Sequence, residues 1–107
     1  ALAQAGKPSD ALVEFATIQR QHPTEPDVEF KWGLVLAQQR RLSEAVPHLT
    51  RAVELQPENP ESRFVLGSAL WEMRRPREAA VHFEEILRLH PNHAGAQQAL
   101  EGLRQLR

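Results

Sequence analysis

The sequence predicts an all-α chain, a solenoid of antiparallel helix-turn-helix hairpins stacked within a single domain. Two observations carry that expectation. Pro23, Pro57 and Pro91 recur at one constant step, and a period of about 34 residues is of the length that marks stacked supersecondary units. Between them apolar residues fall three and four apart, as on a helical face, and no two-residue alternation persists as a strand would require.

Other residues keep the same step. Gly33 corresponds to Gly67, Pro26 to Pro60, Phe30 to Phe64, Leu36 to Leu70 and Leu55 to Leu89. Three copies share an acid-alanine pair, Asp10-Ala11, Glu44-Ala45 and Glu78-Ala79, followed four residues after the alanine by Phe15, Leu49 or Phe83. This register divides the chain into a truncated repeat over 1–25, full repeats over 26–59 and 60–93, and a closing segment over 94–107.

Taken in order, residues 1–5 read as the tail of an earlier helix, and 9–22 as the second helix of the truncated hairpin after the turn Gly6-Lys7-Pro8-Ser9. Thr24-Glu25-Pro26-Asp27 opens a helix over 25–40 with a cap, an early proline and acids at the positive helix end. In it Phe30, Leu34 and Ala37 share one flank while Trp32, Val35 and Leu36 turn to another, which is burial on more than one side, as stacking requires. The next helix, over 43–56, carries Ala45, Leu49, Ala52, Val53 and Leu55 and stops at Gln56-Pro57, because the proline ring disfavours helical geometry in the residue before it. Pro47 falls early in that helix, where its missing amide coincides with an orphan position if Ser43 is the cap, and a bend or a late helix start is the alternative.

Asn59-Pro60-Glu61 opens a helix over 60–74 in the same manner, and helices over 77–90 and 93–106 follow. Arg74 and Arg75 then fall in a last helical turn, where cations suit the dipole. Asn92 is the expected cap of the final helix, which sets Ala96, Ala99, Leu100, Leu103 and Leu106 on one face with Gln and Arg opposite. That segment is either an end cap or the opening helix of a further repeat, and Glu101 at the glycine register favours the cap.

The spacing resembles that of the tetratricopeptide repeat family, whose pattern runs aromatic, Leu-Gly, a large residue, alanine, aromatic and proline. The matching residues are Trp32, Gly33, Leu36, Ala45, Leu49 and Pro57 in the second copy, and Leu66, Gly67, Leu70, Ala79, Phe83 and Pro91 in the third. The first aromatic place departs from the pattern, holding Glu29 and Arg63 with Phe30 and Phe64 beside them. The resemblance implies a right-handed superhelix in which the first helix of each hairpin lines a concave groove that receives an extended peptide. Carried over residue by residue, the groove comprises Asp27, Phe30, Lys31, Leu34 and Gln38, then Glu61, Phe64, Val65, Ser68, Trp71 and Glu72, with Gln98, Gly102 and Gln105 extending it.

Composition narrows the functional classes. The net charge of −1 comes from 13 bases against 14 acids with no long run of one sign, which argues against broad capture of nucleic acid. Eleven of the bases are arginine, a bias that fits a GC-rich, bacterial genome. With no cysteine there are no disulfides, thiolate metal sites or thiol nucleophiles, and the redox compartment stays open. The cytoplasm is the first expectation and the periplasm the second. No apolar run approaches the roughly 20 residues a spanning helix needs, so no membrane insertion is expected.

No nucleophile and base at recognisable spacing and no Gly-rich phosphate loop occurs, so no enzyme activity and no cofactor is expected. His48 and His82 fall at equivalent surface positions one full repeat apart, too far for joint coordination, and no metal site is expected. The leading function is therefore a protein-interaction scaffold that binds a protein or peptide in its groove. Alternatives are a targeting or regulatory segment of a larger enzyme, and self-association through exposed end repeats. Within the family, a subset grips the C-terminal carboxylate of chaperone peptides through basic residues. Lys31 alone, with Asp27, Glu61 and Val65 nearby, makes a poor clamp of that kind.

At the hairpin contact, Gly33 and Gly67 are expected to let paired helices approach closely, with Ala45 and Ala79 opposite. Enlarging that side should push the pair apart. Ala79→Leu is expected to lower stability by about 1–3 kcal/mol, read as a lower midpoint of thermal unfolding; an unchanged melt would remove Ala79 from the tight contact.

Overall fold

The computed structural model describes residues 12–13 and 26–105. Over these the chain forms α1 (Pro26–Gln38), α2 (Leu42–Leu55), α3 (Pro60–Glu72), α4 (Pro76–Leu89) and α5 (Ala94–Arg104). Every expected helix from residue 26 onward is present, with ends displaced by no more than about two residues, the usual uncertainty of helix termini. Leu12 and Val13 are also helical. The rest of the expected helix over 9–22, the tail over 1–5, the turn Gly6-Lys7-Pro8-Ser9, the cap at Thr24-Glu25 and Leu106 lie outside the described residues.

The helices pack in chain order: α1 against α2, α2 against α3, α3 against α4 and α4 against α5, while α1 also meets α3. That is a stack of hairpins with its first helices on one side. A first helix therefore has neighbours in several directions, which explains why α1 and α3 carry apolar residues around much of their circumference. The core runs along the stack without a break, from Leu36, Ala45, Leu49 and Val53 through Leu66, Leu70, Ala79, Phe83 and Ile86 to Ala96 and Leu100.

Close approach within each hairpin occurs at the glycines. A Cβ placed on Gly33 would lie 2.6 Å from Leu49 Cγ, and one on Gly67 would lie 2.9 Å from two ring atoms of Phe83. The residue pressed on each glycine is thus the large one four positions after the alanine. Ala45 and Ala79 are fully buried in the same interior, where added volume has nowhere to go.

Three local expectations change. Asn92 does not cap α5; His93 does, its Nδ1 accepting from the Ala96 N–H at 3.0 Å. The repeat register explains it, since His93 stands one full period after Asn59, whose side chain accepts from the Glu61 N–H at 2.9 Å to cap α3. Arg74 and Arg75 are not in a last helical turn. Arg74 has φ of 62° and Arg40 has φ of 63°, and the N–H groups of the following Arg41 and Arg75 return to the Leu36 and Leu70 carbonyls, both at 2.9 Å. These are left-handed helix stops of the kind glycine usually serves.

Pro47 is the third. The N-cap of α2 is Arg41 rather than Ser43, so Pro47 lies beyond the four orphan amides and withholds a helix bond from the Ser43 carbonyl. Pro47→Ala should restore the bond and raise stability by about 1–3 kcal/mol; a melting midpoint at or below the starting value would show that the proline carries no helix penalty here.

Candidate functional site

On the side of the first helices, α3 and α5 border a cleft of ≈ 390 Å³ lined by Ser68, Trp71, Glu72, Phe83, Gln98, Ala99 and Gly102. Phe83, projected from α4, supplies its buried apolar floor. Trp71 is 37% exposed and forms the ridge to an adjoining hollow of ≈ 410 Å³ with Glu72, Arg74 and Pro76. A large indole left half in water beside a cavity can supply contact area to a partner at low entropic cost.

The cleft gathers Ser68, Trp71 and Glu72 from the sequence-derived set, together with Gln98 and Gly102 of its extension. It does not take in the others. Phe64 packs edge-on to Phe83 with ring centres 5.7 Å apart and lies 5.5 Å from the His93 ring, so its area is spent on joining hairpins. Phe30 and Val65 likewise pack against the core, and Leu34 is half-buried. Asp27, Lys31, Gln38, Glu61 and Gln105 are exposed and outside the cleft lining.

Polar groups at the rim are partly committed. The Ser68 hydroxyl donates to the Phe64 carbonyl at 2.8 Å, and Glu72 Oε2 accepts from Arg40 Nη1 at 3.0 Å. The second contact links the turn of one repeat to the first helix of the next, but both partners are solvated and the pair contributes little to stability. Ala99 and Phe83 are absent from the candidate set. Ala99 was within reach, since it stands one full period after Val65; Phe83 carries the pattern of a packing residue alone.

Across the hairpins lies a polar arrangement that the repeat pattern conceals. Glu29, at the place of an expected aromatic, is 1% exposed and accepts from His48 Nδ1 at 2.9 Å and from Arg51 Nη1 at 3.4 Å. His48 also stacks on Trp32 with ring centres 3.9 Å apart. In the next repeat Arg63 Nη1 donates to His82 Nδ1 at 3.5 Å, and the charge of Arg63 helps depress the Glu85 carboxyl, already held low by its hydrogen bonds from Arg88. Glu29, His48 and Arg51 thus correspond, one repeat on, to Arg63, His82 and Glu85 with the charges exchanged. The two histidines are part-buried and bonded, and not the surface pair expected from their spacing. A buried carboxylate needs such partners, because an unpaired one costs several kcal/mol.

Elsewhere the charges are superficial. Arg41 holds the Glu44 carboxyl below its ordinary range through hydrogen bonds of 2.6 and 3.0 Å at the start of α2, and Arg75 meets Glu78 equivalently, at 2.8 Å, at the start of α4. Among the described residues no group of three or more His, Asp or Glu could hold a metal ion, and no helix is long and apolar enough to cross a membrane. A second cleft, of ≈ 610 Å³, lies between α4 and α5 and is lined by Pro76, Arg77, Ala80, Glu84, Leu100, Leu103 and Arg104.

Comparison with known proteins places this geometry. Two tetratricopeptide repeat models match the chain, one over residues 36–103 and one over residues 1–60. The chain belongs to the tetratricopeptide repeat family. Among solved structures it is similar to the first TPR of Spaghetti (RPAP3) bound to HSP90 peptide SRMEEVD, with 20% identity, a TM-score of 0.88 and coverage of 95% of this chain and 81% of that one. It is also similar to MamA of MSR-1, with 27% identity, a TM-score of 0.85 and coverage of 96%, and it spans 59% of that protein's length. The Arabidopsis OM64 TPR domain gives 18% identity and a TM-score of 0.87, covering 96% of this chain and 85% of that domain. A search of curated proteins returned no significant match.

One titration follows from the exchanged triads. Burial, and secondarily the charge of Arg63, hold the His82 imidazole below its ordinary value of 6.5, so the unfolded chain takes up that proton first. The contribution of His82 is therefore complete above the ordinary value, declines as pH falls through it, and levels off below the depressed folded value. Comparing melting midpoints at about pH 8 and about pH 5, His82→Asn should lose less on acidification than the unmodified chain. An equal loss in both would place the acid sensitivity in another group.

Proposed function

We propose that this chain is a non-catalytic interaction module that holds an extended segment of a partner protein along the side formed by α1, α3 and α5, with Trp71 as the principal contact. The observation that carries this reading is the cleft between successive first helices, apolar at its floor and flanked by a half-exposed tryptophan. Pre-formed sites of this type sit between helices and combine apolar walls with a few polar groups. The surrounding scaffold is already packed, so an incoming segment has little to reorganise.

Similarity to the RPAP3 domain supports peptide binding as a class, since that domain is seen with SRMEEVD. That ligand is not carried over. Lys31 is the sole base among the candidate groove residues, against Asp27, Glu61 and Glu72, which disfavours an acidic peptide end.

A photo-crosslinking residue placed at Gln98, on the cleft rim, should capture one or a few defined partner sequences in cells; the same residue at Val81, 60% exposed on α4, should not. Trp71→Ala should weaken affinity for the captured sequence about tenfold or more, measured by calorimetry. Equal capture at both positions, or unchanged affinity, would defeat the reading.

A further inference from the structure

The described residues include four glycines, and packing explains three. A Cβ at Gly33, Gly67 or Gly95 would lie within 2.6, 2.9 and 2.9 Å, respectively, of Leu49, Phe83 and Phe64. Gly102 differs. A Cβ there would meet no described atom within 4 Å beyond its own helix backbone. It stands inside α5, where glycine weakens a helix relative to alanine, and it lines the cleft beside Trp71.

We propose that Gly102 determines the specificity of the groove: by withholding a side chain it leaves room for one large, flexible apolar side chain, leucine or methionine in kind, with a basic residue beside it in the bound segment. This inference rests on the groove reading above. The walls favour an apolar guest, since Phe83 forms the floor, Trp71 one side and Ala99 another. A volume of ≈ 390 Å³ is at the small end for ligand sites and suits one anchoring side chain and its backbone.

The basic neighbour follows from charge. Among the described residues Glu72 is the one charged group lining the cleft, and its Oε2 is the atom engaged by Arg40, leaving Oε1 for a cation from the partner. The Ser68 hydroxyl, turned back to Phe64, offers no competing donor for an anion. An acidic neighbour in the guest would meet Glu72 as a like charge.

The test is selection of phage-displayed random peptides on the full chain, followed by calorimetry of the enriched peptides against Gly102→Ala, Gly102→Leu and Trp71→Ala. Leucine or methionine next to lysine or arginine should be enriched. Gly102→Leu, which fills the cleft from within, should weaken these peptides about tenfold to a hundredfold while melting no lower than the unmodified chain, and Gly102→Ala should fall between. Peptides that lose affinity with Trp71→Ala and keep it with Gly102→Leu would overturn the role of Gly102 and leave the groove standing. Enrichment of acidic flanks would overturn the charge assignment. Peptides indifferent to both positions, or no enrichment at all, would overturn the groove and this inference together.

Discussion

Gly33 against Leu49 and Gly67 against Phe83 set the separation of the helices within each hairpin. At 2.6 and 2.9 Å from a hypothetical Cβ, neither contact admits another carbon without moving a buried neighbour. Because the second helix of one hairpin also packs on the first helix of the next, a displacement at either glycine would pass along the stack, as it does in any close-packed interior. The apolar residues between these contacts complete a continuous core along the stack.

Two aromatic residues on α3 show how one flank of a first helix is divided. Phe64 and Trp71 are seven residues apart, two helical turns, and so project from nearly the same flank. Gly95 lets α5 press on Phe64, which is thereby drawn into the joint between hairpins. Nearer the other end of α5, Gln98, Ala99 and Gly102 leave Trp71 beside open space. The same flank is thus packed at one end and open at the other.

Much of this was legible from residue spacing. Recurrence of Pro57, Pro91, Gly33, Gly67, Ala45 and Ala79 at one interval defines both hairpins, since stacking demands the same small residues at each equivalent contact. The family resemblance adds Ser68, Trp71 and Glu72 as groove residues, and the structure sets those three on the lining of one cleft. Spacing alone does not distinguish Phe64 from Trp71, because their difference depends on how near α5 comes at each level. Nor does it show that the arginine stops at Arg40 and Arg74 adopt left-handed backbone, a conformation that composition assigns to glycine first. Glu29 and Arg63 looked like lapses in an aromatic position; the interval of 19 residues to His48 and to His82 was the available clue.

Those two triads differ in a way that only histidine permits. Facing a carboxylate, His48 presents its Nδ1 as a donor; facing a guanidinium, His82 presents the same atom as an acceptor. An imidazole nitrogen can serve as donor or as acceptor, so the same ring can face either sign of charge with no change in shape. A repeat built this way can have its interior charge reversed by substitution at the facing position without first acquiring a compensating change at the histidine. Neighbouring repeats descended from one ancestor are then at liberty to diverge in electrostatic character while keeping a common framework.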